Sequence, residues 1–310
     1  TRPAPGNAGD GLRVSVRRPL VPRPRCCYKG ARDAPLPAAP HRHFRMTEAH
    51  VELSHVRVAF GTREVLRDLS CRFPRGKISV ILGGSGSGKS TLLRTIGGLV
   101  RPRAGAVMVA GEDITRLSES ELYRVRRKLG MMFQHGALLD SLTVFDNLAF
   151  PLREHTRLSA REVTDAVHAC IEAVGLQNVD ALLPGQLSGG MVKRVALARA
   201  IVREPVILLC DEPFSGLDPI SARRIEGLLV EINRRRDVTL IVVSHSIPST
   251  MRMADHVVVL LSDGPIEGTP AELQASTDPR IIACLSDGED PSVVAPDDLP
   301  GTSAAARGMP

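Results

Sequence analysis

Residues 83–90 read GGSGSGKS. Closely spaced glycines let a main chain wrap around an anion with its N–H groups facing inward. The helix expected to follow points its positive end at the same anion. Lys89 then reaches the β- and γ-phosphates of a nucleotide, and Ser90 holds Mg²⁺. A second cluster is VILLCDEP, residues 206–213. Its aliphatic run buries a strand and carries Asp211 to the C-terminal end, where ligands gather in parallel sheets. A carboxylate there holds Mg²⁺ directly or through water. Glu212 beside it is suited to polarise an attacking water. The third cluster is LSGGM at 187–191, followed by KRVALARAI. Ser188, Gly189 and Gly190 make another anion-receptive helix start. One chain does not need two phosphate cradles for one nucleotide, so the second is expected to face a neighbour's.

These residues need strands and helices to place them. VELSHVRVAF, from Val51, alternates as an edge strand does, and Gly61 makes the turn into a second strand over 65–73. KISVILGG, 77–84, is a short apolar run that fits a buried strand delivering the glycines. A helix is expected over 91–98, with Leu92, Leu93 and Ile96 on one face. AVMVAGEDI gives another strand and turn. Ser118 with Glu121 forms a capping box that opens a helix through Leu122, Val125 and Leu129, and 131–134 is a brief strand. No convincing strand occurs in 136–187, whereas Ser159 and Glu162 cap a helix carrying Val163, Val167, Cys170, Ile171 and Val174. Pro219 after Asp218 opens a helix bearing Ile225, Leu228, Leu229 and Ile232, and further strands lie at 239–245 and 256–261. Alternating strands and helices predict an α/β core, with a helical block inserted as a second lobe.

The chain has 310 residues, 43% of them hydrophobic but only 3% aromatic, so its core is aliphatic. Its longest apolar stretches are far shorter than a membrane span. Six cysteines, Cys26 and Cys27 adjacent and the others scattered, lack zinc-type spacing and read mostly as apolar core residues in a reducing compartment rather than a disulfide framework. The net charge of +6 belongs to the first 45 residues, which hold ten Lys or Arg against two Asp. With eight prolines and few aliphatics, residues 1–45 are expected to form a disordered basic tail, which leaves Met46 just before the first orderly segment. Residues 287–310, acidic and proline-bearing, are expected to be a second disordered tail. Nucleic acid is not an expected partner, because the basic charge lies outside the body that carries the motifs.

The motifs together resemble those of the ABC-type ATPases, in the family's order: GGSGSGKS as Walker A, Gln134 as the Q-loop glutamine, LSGGM as the signature, ILLCDEP as Walker B, SGLDP at 215–219 as the D-loop and His245 as the switch histidine. The resemblance implies a P-loop NTPase core with an antiparallel β edge, spanning 50–286, and an inserted helical subdomain at about 136–190. It implies that ATP is bound through Gly83, Gly84, Ser85, Gly86, Ser87, Gly88, Lys89, Ser90 and Thr91, with Phe60 against the adenine. Mg²⁺ would be held by Ser90, Gln134 and Asp211, and hydrolysis would use Glu212, His245 and Gln134. Two copies would stack head to tail, each ATP lying between one copy's Walker A and the other's Ser188, Gly189 and Gly190.

More narrowly, FQHGALLDSLTVFDNLAFPLREHT at 133–156, the Met191 that ends the signature, and TDPRIIACLSDG at 277–288 are similar to the ATPase subunit of Mla- and Mce-type lipid transporters. That likeness implies a homodimer beneath membrane permeases, with a ring of lipid-binding MCE proteins beyond the membrane and Leu138 to Leu152 near the permease. The expected location is the cytoplasmic face of the inner membrane or, alternatively, the stromal face of a plastid envelope. A small-solute importer is the competing function, with the same ATP site but an ordinary signature. A non-transport ABC protein would be expected to carry two cassettes or a long coiled-coil insertion, and a binding-only cassette to lack Glu212 or His245.

Overall fold

The computed structural model describes residues 48–287. The expectations for residues 1–45, Met46 and the acidic end beyond residue 287 lie outside the described residues. Within them the elements run β1 (Ala49–Phe60), β2 (Arg63–Pro74), β3 (Ile78–Gly83), α1 (Lys89–Ile96), β4 (Ala104–Val109), β5 (Glu112–Asp113), α2 (Glu119–Arg126) and β6 (Leu129–Met132). There follow α3 (Val144–His155), α4 (Ala160–Ala173), a single 3-10 turn at Pro184–Gln186, α5 (Gly189–Ile201), β7 (Ile207–Asp211), α6 (Pro219–Arg236) and β8 (Thr239–Val243). The last are α7 (Ile247–Met253), β9 (His256–Leu261), β10 (Gly264–Gly268), α8 (Pro270–Gln274) and α9 (Pro279–Asp287).

Two sheets result. One is antiparallel, in the order β2-β1-β4-β5; the other has six strands in the order β10-β9-β3-β8-β7-β6, parallel except for β10. The second sheet is covered on both faces, which is why β3, β7, β8 and β9 carry continuous apolar runs, each buried along its whole length. Side-chain alternation splits these strands between two cores. Ile81, Leu209, Ile241 and Val258 face the antiparallel sheet together with Leu92, Leu93 and Ile96 of α1. Val80, Leu208, Val242 and Val257 face the opposite core, built with α3, α4, α5 and α6. The expected α/β core with an antiparallel β component is present, and no strand occurs between β6 and β7, where α3, α4 and α5 lie. Cys71, Cys170, Cys210 and Cys284 are buried and not disulfide-bonded.

Some element boundaries differ from the sequence reading. The first strand is not an edge: β1 pairs with β2 on one side and with β4 on the other. Its alternation reports one face on the core and one toward solvent, a pattern that interior and edge strands of an antiparallel sheet share. Both capping boxes form, at Ser118–Glu121 and Ser159–Glu162. The first helix nevertheless stops at Arg126, and Leu129 opens β6 instead, pairing with Ile207. The short helices α7, α8 and α9 had no counterpart in the sequence reading. Among the described residues no helix is long and apolar enough to cross a membrane.

Candidate functional site

Gly83 ends β3 with φ +146°, and a Cβ there would lie 2.7 Å from the Leu260 carbonyl oxygen. Gly88 has φ +96°, and its Cβ would lie 2.7 Å from Leu66 Cδ2. Both positions need glycine for shape and for backbone angle. The loop between them leads into α1 at Gly88, which offers no side-chain cap, and the first turn of α1 holds no acid. The free N–H groups of that turn therefore stay available to an anion. Lys89 is buried, and its Nζ donates to the carbonyls of Gly83 at 2.9 Å and Gly84 at 2.7 Å. That commits two of its three donors. Burial lowers the Lys89 pKa, and the nearby Glu212 and Asp211 carboxylates oppose the shift.

Asp211 ends β7, buried, and accepts a 2.9 Å hydrogen bond from Ser90 Oγ on α1. This brings a hydroxyl and a carboxylate from residues 121 apart in sequence onto one point. Glu212 follows in the left-handed region, at φ +49°, with its N–H donating to the Val243 carbonyl. Such a conformation costs an L-residue about 1–2 kcal/mol, and the proline after it disfavours helical backbone further. The departure from extended backbone ends the strand at the cleft. Burial pushes the Glu212 carboxyl up to about 7, against the pull of Lys89. His245 follows β8, and its Nε2 lies 3.0 Å from Glu212 Oε1. The approach is close but poorly aligned, so Oε1 accepts no well-formed hydrogen bond. Burial and Lys89 together hold the His245 pKa below its ordinary value.

One cleft is lined by Ser85, Gly86, Gly88, Lys89, Ser90, Thr91, Gln134, Glu212 and His245, with Arg63 and Val65 from β2. Gly84 and Ser87 line an adjoining cleft with Leu66 and Leu260. Eleven of the expected residues therefore gather with Asp211 around one loop. Phe60 is not in either lining: it ends β1, 54% exposed, on the hairpin whose next strand supplies Arg63 and Val65. Ser188, Gly189 and Gly190 are also outside both linings. Ser188 caps α5, accepting from the Met191 N–H, and is exposed with Gly189.

The residues present suit a nucleotide polyphosphate and a hard cation. Ser87 Oγ is buried without a partner, Lys89 has a donor to spare and α1 starts uncapped. The Ser90–Asp211 oxygens form a two-ligand set, and no group of three or more His, Cys, Asp or Glu assembles among the described residues. Mg²⁺ is commonly held this way, by one or two protein oxygens with phosphate and water completing the shell.

Sequence reasoning missed Lys193, Arg63 and Val65. Lys193 is buried in α5, and its Nζ donates to the carbonyl oxygens of Gln134 and of Glu212 and to Ser215 Oγ. No local signal marked it: its partners lie 59, 19 and 22 residues away in sequence.

A family model described as ABC transporter matches residues 66–215. With that match, the relatives below establish that the chain belongs to the ABC transporter ATP-binding family, whose members hydrolyse ATP with Mg²⁺. Within the family it is closely related to MlaF. It is 45% identical over 232 residues to the intermembrane phospholipid transport system ATP-binding protein MlaF of Escherichia coli K12, covering 74% of this chain and 86% of that one. It is 38% identical to the probable ribonucleotide transport ATP-binding protein mkl of Mycobacterium leprae, covering 77% of this chain and 69% of mkl. Among solved structures, the dimeric bacterial ABC transporter cassette MJ0796 superposes with a TM-score of 0.66 at 31% identity, covering 71% of this chain and 98% of that one.

Proposed function

We propose that this chain is the ATP-hydrolysing subunit of an Mla-type phospholipid transporter. It works as a head-to-tail homodimer on the cytoplasmic face of a membrane, beneath permease subunits that are served in turn by MCE-type lipid-binding proteins. The observation that carries this reading is the split site. One cleft gathers phosphate, cation and water-activating groups, while the signature residues Ser188 and Gly189 stand exposed outside it on the same chain. A second copy supplies the missing half, as the MJ0796 cassette's dimeric form suggests. The cargo follows from the likeness to MlaF.

The proposed roles are these. Lys89, the loop from Gly83 to Gly88 and Thr91 hold the phosphates, Phe60 meets the adenine, and Ser90, Asp211 and Gln134 hold the cation. Bound Mg²⁺ neutralises charge that develops on the phosphates. Glu212, whose carboxyl lies near neutrality, takes the proton of the attacking water. His245, beside it, contacts the γ-phosphate. Ser188, Gly189 and Gly190 of one copy close over the other copy's ATP. The helical block at about 136–190 presents Leu138 to Leu152 to the permease.

The test is reconstitution of the chain with its permease and MCE partners in proteoliposomes. Phospholipid transfer to an acceptor is expected to require ATP and to stop with Glu212→Gln. ATP-dependent movement of a ribonucleotide or another small solute, with lipid left in place, would overturn the cargo assignment.

A further inference from the structure

Lys193 is a buried cation that the reaction as described does not use. It lies on α5, five residues after Ser188, and only 6% of its surface is exposed. An ammonium has three N–H donors, and Lys193 commits all of them, to the Gln134 carbonyl, the Glu212 carbonyl at 3.0 Å and Ser215 Oγ at 3.2 Å. Ser215 Oγ in turn donates to the same Glu212 carbonyl at 3.0 Å. All three acceptors are neutral, and no carboxylate lies within ion-pair distance of Nζ among the described residues. Burying a cation without a paired anion is costly. An aliphatic side chain at 193 would fill this position in an apolar helix without that cost.

The three acceptors come from two loops, the one after β6 and the one between β7 and α6. These loops carry Gln134 and Glu212, which line the cleft. The lysine itself belongs to the helix whose first turn carries the signature residues. Helices are stiff over such a distance, so the position of Ser188 and the main chain at Gln134 and Glu212 are tied through one ammonium.

We propose that Lys193 is a positioning residue, which holds the main chain of Gln134 and Glu212 in register with the signature end of α5. It touches neither nucleotide nor water and acts through the residues it holds. The proposal rests on Glu212 being the hydrolytic carboxylate. Closure of the dimer moves Ser188 against the partner's ATP. The same helix then sets the hydrolytic carboxylate of its own chain through Lys193. Displacement of a reacting group by about 1 Å costs on the order of 10²-fold in rate.

The experiment uses the assembled transporter and measures ATP turnover and nucleotide binding for Lys193→Met, Lys193→Arg and Ser215→Ala. Lys193→Met keeps the length and removes the charge and donors. Its kcat is expected to fall by about 10- to 100-fold, with KM for ATP and nucleotide affinity within about twofold, since the phosphate loop is untouched. Lys193→Arg is expected to restore most of the lost kcat. Ser215→Ala, which removes one acceptor, is expected to lower kcat less, and its effect should vanish in the Lys193→Met background. Unchanged kcat in Lys193→Met would overturn the proposal. So would a parallel loss of nucleotide binding and thermal midpoint, which marks a purely structural lysine. If Lys193→Met does not fold, Ser215→Ala decides it: unchanged kcat in that variant overturns the proposal. Glu212→Gln, run alongside, separates the two readings, because turnover retained in that variant contradicts the role of Glu212 whatever Lys193 does.

Discussion

Glu212 shows how much a single residue's backbone settles. It leaves β7 in a left-handed turn, ahead of Pro213, and burial raises its carboxyl to about 7. Glu212→Gln keeps the size and removes the proton acceptor. ATP binding, measured by equilibrium titration, is expected to stay within a few-fold, while phosphate release at saturating ATP falls on the order of 10²-fold or more. Gly88 makes a different point. With φ +96° and Leu66 in the way, Gly88→Ala pays for both strain and a clash, and is expected to lower the urea-unfolding free energy by about 1–3 kcal/mol. The phosphate loop was legible in the sequence because it is local: eight consecutive residues fix its chemistry. Asp211 and Glu212 were legible because a buried strand announces where it ends. Lys193 was not, since its partners are 59, 19 and 22 residues away and only folding brings them to one ammonium.

At the level of elements, the helix starts at Ser118 and Ser159 were readable and strand order was not. Capping at Ser118 and Ser159 is a contact over three residues, and the structure has both boxes. The order β10-β9-β3-β8-β7-β6 is set by which apolar faces cover which, and β3 meets both of its neighbours across more than a hundred residues. The same holds for β1, whose second neighbour, β4, lies beyond the phosphate loop. One buried polar side chain fastens the segment after Gln134. Asn147, 1% exposed on α3, donates to the carbonyls of Leu139, Leu142 and Thr143 and accepts from the Leu139 N–H. Asn147→Leu removes every one of these bonds and strands the backbone groups. It is expected to cost about 1–3 kcal/mol in thermal or denaturant unfolding. Partner-stimulated turnover should fall more than basal turnover, because the segment from Leu138 to Leu152 is the one proposed to meet the permease. Equal losses of both would argue against that placement.

Among the described residues two apolar cores lie on either face of the six-stranded sheet, and α1, which follows the phosphate loop, packs into the core shared with the antiparallel sheet. Among the described residues the core residues lie between Val51 and Cys284. Residues 1–45 are proline-rich and basic, and a protein beginning at Met46 is expected to fold with an unchanged thermal midpoint and to hydrolyse ATP at the full-length rate with its partners; a loss of either would give residues 1–45 a structural part. The central claim is that each ATP is completed by a second copy, and mixed dimers test it most directly. One tagged chain carries Ser188→Arg, which places bulk and charge at the signature, and the other carries Lys89→Ala. Nucleotide trapped in each chain is then counted, beside a pairing of the double mutant with wild type. In a head-to-tail dimer both separated lesions fall in one composite site, so the Ser188→Arg chain is expected to trap and hydrolyse nucleotide while its partner does not, and the double-mutant pairing is expected to lose both sites. If the separated lesions silenced both sites and the double-mutant pairing spared one, the site would be complete within a single chain and the head-to-tail arrangement would be wrong.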